Sequence, residues 1–189
     1  MATFLSSLDL ETTGLKAEKG DRIIEACVQV WRIEDRKKVI NWTQLINPQG
    51  QSINARAQKV HGIAAHDLIG KPVFKDVAPK INAMLSRSVG VVTHNGEFFD
   101  LPFLAHEMAQ VDLELPDIES FDTMQNGMFA SYDQKPPTLQ ELCWSMGVEY
   151  DPLKSHAAEY DVDVMMQSFF KAVDLGYYDI SHLKMKEAA

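Results

Sequence analysis

Long apolar runs, cysteine and positive charge are all scarce in this 189-residue chain. No stretch approaches the roughly 18 consecutive apolar residues that a membrane-spanning helix needs. The start, Met-Ala-Thr-Phe, has no basic region followed by a long apolar segment, so no secretory leader is read there. Only two cysteines occur, Cys27 and Cys143, and they lie far apart. Each falls in an apolar pattern and reads as a buried free thiol rather than half of a disulfide, so a reducing, cytoplasmic setting is expected. Lysine and arginine number 18 against 27 acidic residues, giving a net charge of −9. Such a chain gains nothing from its overall field when it meets a polyanion. With 46% hydrophobic and 24% charged residues it is an ordinary globular chain, long enough for one core.

Its carboxylates are clustered. Asp9-Leu10-Glu11 closes the apolar run from Phe4 to Leu8. On a strand, residues i and i+2 share a face, so Asp9 and Glu11 stand side by side. Two carboxylates this close repel each other and are costly to dehydrate unless a cation lies between them. The pair therefore asks for a hard divalent metal. Asp100, and His156 with Asp161, supply further candidate groups.

There is no repeat, low-complexity segment or linker. Residues 23–33 and 39–46 read as strands around the charged loop Glu34-Asp35-Arg36-Lys37-Lys38. Ile24, Ala26, Val28 and Val30 alternate with Glu25, Cys27, Gln29 and Trp31, the period of two that a strand requires. With residues 4–9 they form an antiparallel, three-stranded start. Val77, Ile81, Met84 and Leu85 then follow helical spacing, with Pro79 placed in a first turn. Residues 89–93 and 118–122 read as two more strands. Asp100-Leu101-Pro102 opens a helix between them. Thr138-Leu139-Gln140-Glu141 has the form of a capping box, and Gly147 ends that helix. From Asp161, apolar residues at Val162, Met165, Met166, Phe169, Phe170 and Val173 make the stripe of a core-facing helix. The expected fold is α/β, a mixed central sheet of three antiparallel strands and then parallel strands, flanked by helices.

Taken singly, each cluster has an ordinary reading: a chance D-x-E triplet, a turn before a helix-capping Asp, a surface His before another. Their joint occurrence in this order resembles the DEDDh, or DnaQ-like, family of 3′–5′ exonucleases. The three motifs stand as Asp9-Leu10-Glu11-Thr12-Thr13-Gly14-Leu15, His94-Asn95-Gly96-Glu97-Phe98-Phe99-Asp100 and Ser155-His156-Ala157-Ala158-Glu159-Tyr160-Asp161. Val60-His61-Gly62-Ile63 and Asp122-Thr123 match secondary family signals. The long second motif, with an aromatic before Asp100, looks like the three-prime repair exonuclease branch. The proline-rich insertion of that branch's animal members is absent, with only Lys135-Pro136-Pro137 in its place.

The resemblance implies a ribonuclease-H-like fold and two divalent ions, Mg2+ or Mn2+, on Asp9, Glu11, Asp100 and Asp161. Two such ions would bring four positive charges to four carboxylates, so an acidic chain can still attract a phosphate. The resemblance makes His156 the general base, a role that suits an imidazole near neutral pH. It places Leu10 and Thr12 against the terminal nucleotide, Leu15 and Ile63 beside its base, and His61, Asn95 and Phe99 in the same groove. Plain core packing is the alternative for Leu15, Ile63 and Phe99. Asp163 is read as solvated rather than a fifth ligand, Glu159 as exposed or a local hydrogen-bond partner, and Glu25 as lining the site's edge or, more simply, facing solvent. Residues 1–176 are expected to form the exonuclease domain and 177–189 a tail, which packs on the domain or meets a partner.

The expected function is metal-dependent removal of nucleotides from a free 3′ end of nucleic acid, DNA first, releasing nucleoside 5′-monophosphates. An exoribonuclease, a polymerase-associated proofreading subunit and a non-catalytic nucleic-acid-binding module are the rivals.

Overall fold

The computed structural model describes residues 2–183. Its centre is a five-stranded sheet in the order β3-β2-β1-β4-β5. β1 (Phe4–Thr12), β2 (Ile23–Arg32) and β3 (Lys37–Leu45) form the antiparallel meander. β4 (Gly90–Thr93) runs parallel to β1, and β5 (Glu119–Asp122) runs parallel to β4. The mixed sheet is therefore as the strand patterns imply.

The alternation in β2 separates two interiors rather than core from water. Ala26, Val28 and Val30 pack with Leu8 and Leu10 of β1 on one face. That face is covered by α2 (Phe74–Leu85) and α3 (Asp100–Ala109). Cys27 and Leu5 pack on the other, under α4 (Leu139–Ser145) and α5 (Ala158–Asp174). A sheet covered on both sides buries both of its side-chain sets.

α1 (Ala55–His61) precedes α2 and was not legible as a helix in the sequence. Its start is held by Asn54, whose side-chain oxygen accepts the Arg56 N–H. The Asn54 N–H donates to the Thr13 carbonyl at 2.7 Å, which ties α1 to the end of β1. Pro79 lies in the second turn of α2, not the first, because the helix begins at Phe74. The third-motif helix begins at Ala158, a turn before Asp161.

The interior extends past residue 176. Tyr178, Ile180 and Leu183 are buried in the α5-side core, and Phe121 meets the Tyr178 ring edge-on at 4.8 Å. The segment through Leu183 thus packs on the sheet, and residues 184–189 of the expected tail lie outside the described residues. Cys27 and Cys143 are free and buried. No helix among the described residues is long and apolar enough to cross a membrane.

Candidate active site

β1 positions the first two acids. Its even residues Leu8 and Leu10 enter the α2-side core, so Asp9 and Glu11 face α5. Asp100 is the first residue of α3 and is buried, and its Oδ1 accepts the Leu10 N–H at 2.9 Å. That bond joins the second motif to the first. Asp161 sits in the opening turn of α5, where its Oδ2 accepts the His156 N–H at 2.8 Å. His156 is exposed, with φ at +64°. A bulky residue in the left-handed region persists only where its surroundings hold it, and the Asp161 carboxylate is one such hold.

Like charges set the electrostatics. Burial raises the Asp9 carboxyl well above its ordinary range, and the Asp100, Glu11, Asp161 and Glu25 charges add to it. Glu11 is pushed up to about 8 by burial, then by Glu25, Asp161 and Asp100. Burial raises Asp100 too, with the Leu10 N–H opposing it. Asp161 is raised by burial against the His156 N–H and the nearby imidazole. These four side chains are thus mutually repelling oxygen donors, Asp100 buried and the other three half-buried.

Glu25 takes the site-edge position rather than the simpler solvent-facing one. It stands directly opposite Glu11 in the β1–β2 register and is half-buried rather than solvent-facing. Burial raises its carboxyl, the Ala158 N–H lowers it and Glu159 raises it. Like charges directly across a ladder destabilise it, so Glu25 makes a fifth acid at the site. The period of two placed Glu25 on the face of Cys27 and Gln29, and only the hairpin register brings it to Glu11. Asp163 is also not simply solvated: Gln29 Nε2 donates to it at 2.7 Å and Lys38 forms an ion pair with it. Glu159 is exposed and accepts from Asn41 Nδ2, as one of its two readings had it.

Among the described residues, no three acidic, histidine or cysteine side chains already enclose a common point as a finished metal shell does. The donor set nevertheless fits a hard divalent ion. It is made of carboxylate oxygens, and Asp161 Oδ1 is buried with no hydrogen-bond donor.

Glu11, Thr12, Leu15, His61 and Phe99 line one cavity of about 460 Å³ beside the acids. Sequence reasoning missed the Lys16, Asn54 and Arg56 that line it with them, and had Val60 only as part of a secondary family signal. Arg56 and Val60 arrive on α1, so recognising that helix would have brought both to the cavity. Leu15 is 77% exposed and is no core residue. Phe99 is half-buried against Phe103, their rings 5.7 Å apart. Leu10, Ile63 and Asn95 do not line the cavity. Leu10 offers it no side chain, and Thr12 already donates its hydroxyl to the Gly14 carbonyl. Ile63 is half-buried, and its N–H donates to His61 Nδ1 at 3.0 Å. Burial lowers the His61 imidazole, with the Thr12 carbonyl opposing and the His156 charge assisting.

A buried network stands behind the second motif. Asp122 Oδ1 accepts the Asn95, Met124 and Gln125 N–H groups, and Oδ2 accepts that of Glu97. His94 Nδ1 lies 2.9 Å from Thr123 Oγ1, and burial pushes this imidazole down to about 4. Tyr178 donates to the Thr123 carbonyl at 2.9 Å.

Acids from the first strand and two helix starts thus share one end of a mixed sheet. The family model of the RNase T exonucleases matches residues 6–169, and the chain belongs to that family. It is 29% identical over 167 residues to the 3′-5′ exonuclease DinG of Bacillus subtilis, spanning 88% of this chain but 17% of that protein. It is 31% identical over 173 residues to the DNA polymerase III subunit epsilon of Rickettsia prowazekii, spanning 86% of this chain and 70% of the subunit. Among solved structures, E. coli exonuclease I with a dT13 oligonucleotide aligns at a TM-score of 0.76 and 16% identity, over 91% of this chain and 41% of that one. The nuclease domain of 3′hExo, a DEDDh family member bound to rAMP, aligns at 0.74 and 16% identity, over 93% and 94%. These two likenesses establish the shared fold.

Proposed function

We propose that the chain is a metal-dependent 3′–5′ exonuclease that hydrolyses the terminal phosphodiester at a free 3′ end of DNA and releases nucleoside 5′-monophosphates. The observation that carries the reading is the convergence of Asp9, Glu11, Asp100 and Asp161, with His156 tied to Asp161, beside a cavity lined by Leu15, His61 and Phe99. Asp9, Glu11, Asp100 and Asp161 would hold two divalent ions, magnesium or manganese. When bound, such ions offset the charge that develops on the attacking and leaving oxygens.

The chain's own residues supply the rest. Lys16 and Arg56 give the cavity the cations that a phosphate needs in a molecule of net charge −9. Leu15, Val60 and Phe99 offer apolar surface to a terminal base. His156, exposed at the turn before α5, takes the proton from the attacking water. With so little positive surface, release after each cut is expected, hence distributive action.

A proofreading subunit is the second reading, supported by the epsilon relatives. Single-stranded DNA and RNA of one sequence, labelled at the 5′ end, test both. A manganese-dependent ladder shortening from the 3′ end, faster on DNA and absent with Asp9→Ala, is expected. A faster RNA ladder would make the enzyme an exoribonuclease. No ladder until a polymerase is added would establish the proofreading subunit.

A further inference from the structure

We propose that Gln29 and Lys38 are positioning residues for the acids: by holding Asp163 they fix the rotation of α5 about its own axis, and so aim Asp161 at Asp9 and Glu11. This rests on the exonuclease reading above and extends it to residues that stand behind the site. α5 lies on the sheet along an apolar stripe that includes Val162, Met165, Met166 and Phe169. Asp161 and Asp163 flank Val162, each about 100° round the helix from it and in opposite senses. Glu159, one turn before Asp163, shares the Asp163 side. Any roll of the helix therefore moves Asp161 and the Glu159–Asp163 flank together.

That flank is tied to β2 and β3. Asp163 Oδ1 accepts from Gln29 Nε2 at 2.7 Å and also from Lys38 Nζ. Glu159 Oε1 accepts from Asn41 Nδ2 at 2.6 Å. Gln29 and Asn41 stand opposite each other in the β2–β3 ladder, so one row of the sheet grips two successive turns of α5. Trp31 closes the arrangement. Its Nε1–H donates to Gln29 Oε1 at 3.1 Å, and Lys38 Nζ lies 5.6 Å from its ring centroid. None of these strand residues lines the cavity beside the acids.

Stability alone does not account for this network. Gln29 is completely buried, at a place where an apolar side chain would need no partners. The Lys38 and Asp163 side chains are 28% and 36% exposed, and ion pairs that open to water contribute little. What the bonds supply is direction. Apolar burial is non-directional, whereas a fully satisfied buried polar network specifies one arrangement. A side chain at the rim of a helix stands about 5–6 Å from its axis, so a roll of about 20° would carry the Asp161 carboxylate about 2 Å. Oxygen ligands of magnesium keep to roughly 2.0–2.1 Å in near-octahedral order. A roll of that size would remove Asp161 from a shell shared with Asp9.

The test compares Asp163→Ala with Asp163→Asn. Both remove the same charge, but Asn keeps an oxygen for Gln29 and Lys38. Each variant is titrated calorimetrically with manganese and assayed on 5′-labelled hexathymidylate at saturating manganese. Asp163→Ala should bind manganese more weakly and lose about ten- to a hundredfold in kcat, the effect of an ångström-scale displacement. KM should change little, because the cavity lining is untouched. Asp163→Asn should match wild type in both readouts. Gln29→Met keeps the buried volume, should shift both readouts the same way as Asp163→Ala, and replaces it if that variant does not fold. Equal losses in Asp163→Ala and Asp163→Asn would make the effect one of charge and overturn the proposal, as would wild-type values in Asp163→Ala. If wild type binds manganese but cuts nothing, the exonuclease reading fails by itself and the titrations alone decide. A wild type that binds no manganese overturns both.

Discussion

The Asp122 carboxylate lies 2.9 Å from the Asn95 N–H and anchors, through that bond and the one to Glu97, the turn that delivers Asp100 to the acids. Asp122→Asn leaves a single oxygen to accept from four backbone donors. A buried donor left without a partner costs about 1–3 kcal/mol. The unfolding midpoint should fall by roughly 2–12 °C for a chain of this size. In the folded variant, calorimetric titration should show weaker manganese binding than wild type. Unaltered manganese affinity would confine Asp122 to stability.

The raised acids make the metal-free protein pH-sensitive in a defined direction. A carboxyl with an elevated folded pKa keeps its proton in the native state while the unfolded chain has lost it. Stability is therefore full below the free carboxyl range, about 4.3 for Glu, and declines as pH rises. For Glu11 that decline ends near 8. Thermal scans of metal-free protein should show the midpoint falling between these limits. Millimolar manganese should restore most at the alkaline end, because it binds the ionised, folded form. A midpoint that climbs toward pH 8 without metal would contradict this.

Asp9→Asn removes one charge from a mutually repelling set while keeping its shape. The metal-free variant should melt no lower than wild type, yet lose the manganese-induced rise and all hydrolysis. A large loss of stability would show that Asp9 serves the fold rather than the site.

Arg22 and Glu107 form a two-pronged ion pair across the loop after β1, and the Glu107 side chain is 1% exposed. Glu107→Ala strands the guanidinium, and breaking a buried pair costs about 3–5 kcal/mol. Arg22 is a quarter exposed, which puts the expected loss at the lower end of that range. Urea unfolding of Glu107→Ala, and of the double variant Arg22→Met/Glu107→Leu, measures it. The double variant should recover most of the loss.

A chain ending at residue 176 should fold poorly. It lacks Tyr178, Ile180 and Leu183, all at 5% exposure or less. Burying each such side chain contributes about 1.5–3 kcal/mol, and the total rivals the 5–15 kcal/mol that holds a typical domain together. A cooperative melt within about 5 °C of the full chain would refute it.

The strands and most helices could be read because their signals are local. β2 announces itself through alternation, α4 through the Thr138–Glu141 box, and α5 through its apolar stripe. Asp9 stands on the first strand and Asp100 opens its helix as expected, whereas the strand runs on past Glu11 and the last helix starts a turn before Asp161. What could not be read depended on distant pairing. Glu25 joins the site only through its register with Glu11, and α1 through the bond between Asn54 and Thr13. Pro79 misled because one missing N–H is tolerated within a helix whose Phe74, Val77 and Ile81 are buried.

The two-sided nature of β1 has a consequence for error. Leu8 and Leu10 alternate with Asp9 and Glu11, so a one-residue slip would send leucines into the site and carboxylates into the α2-side interior. Molecules misassembled in that way would bury carboxylates among apolar side chains, at a cost that keeps them from accumulating. For a protein that cuts phosphodiesters this is a safeguard: copies stable enough to persist are copies whose Asp9 and Glu11 face the right way.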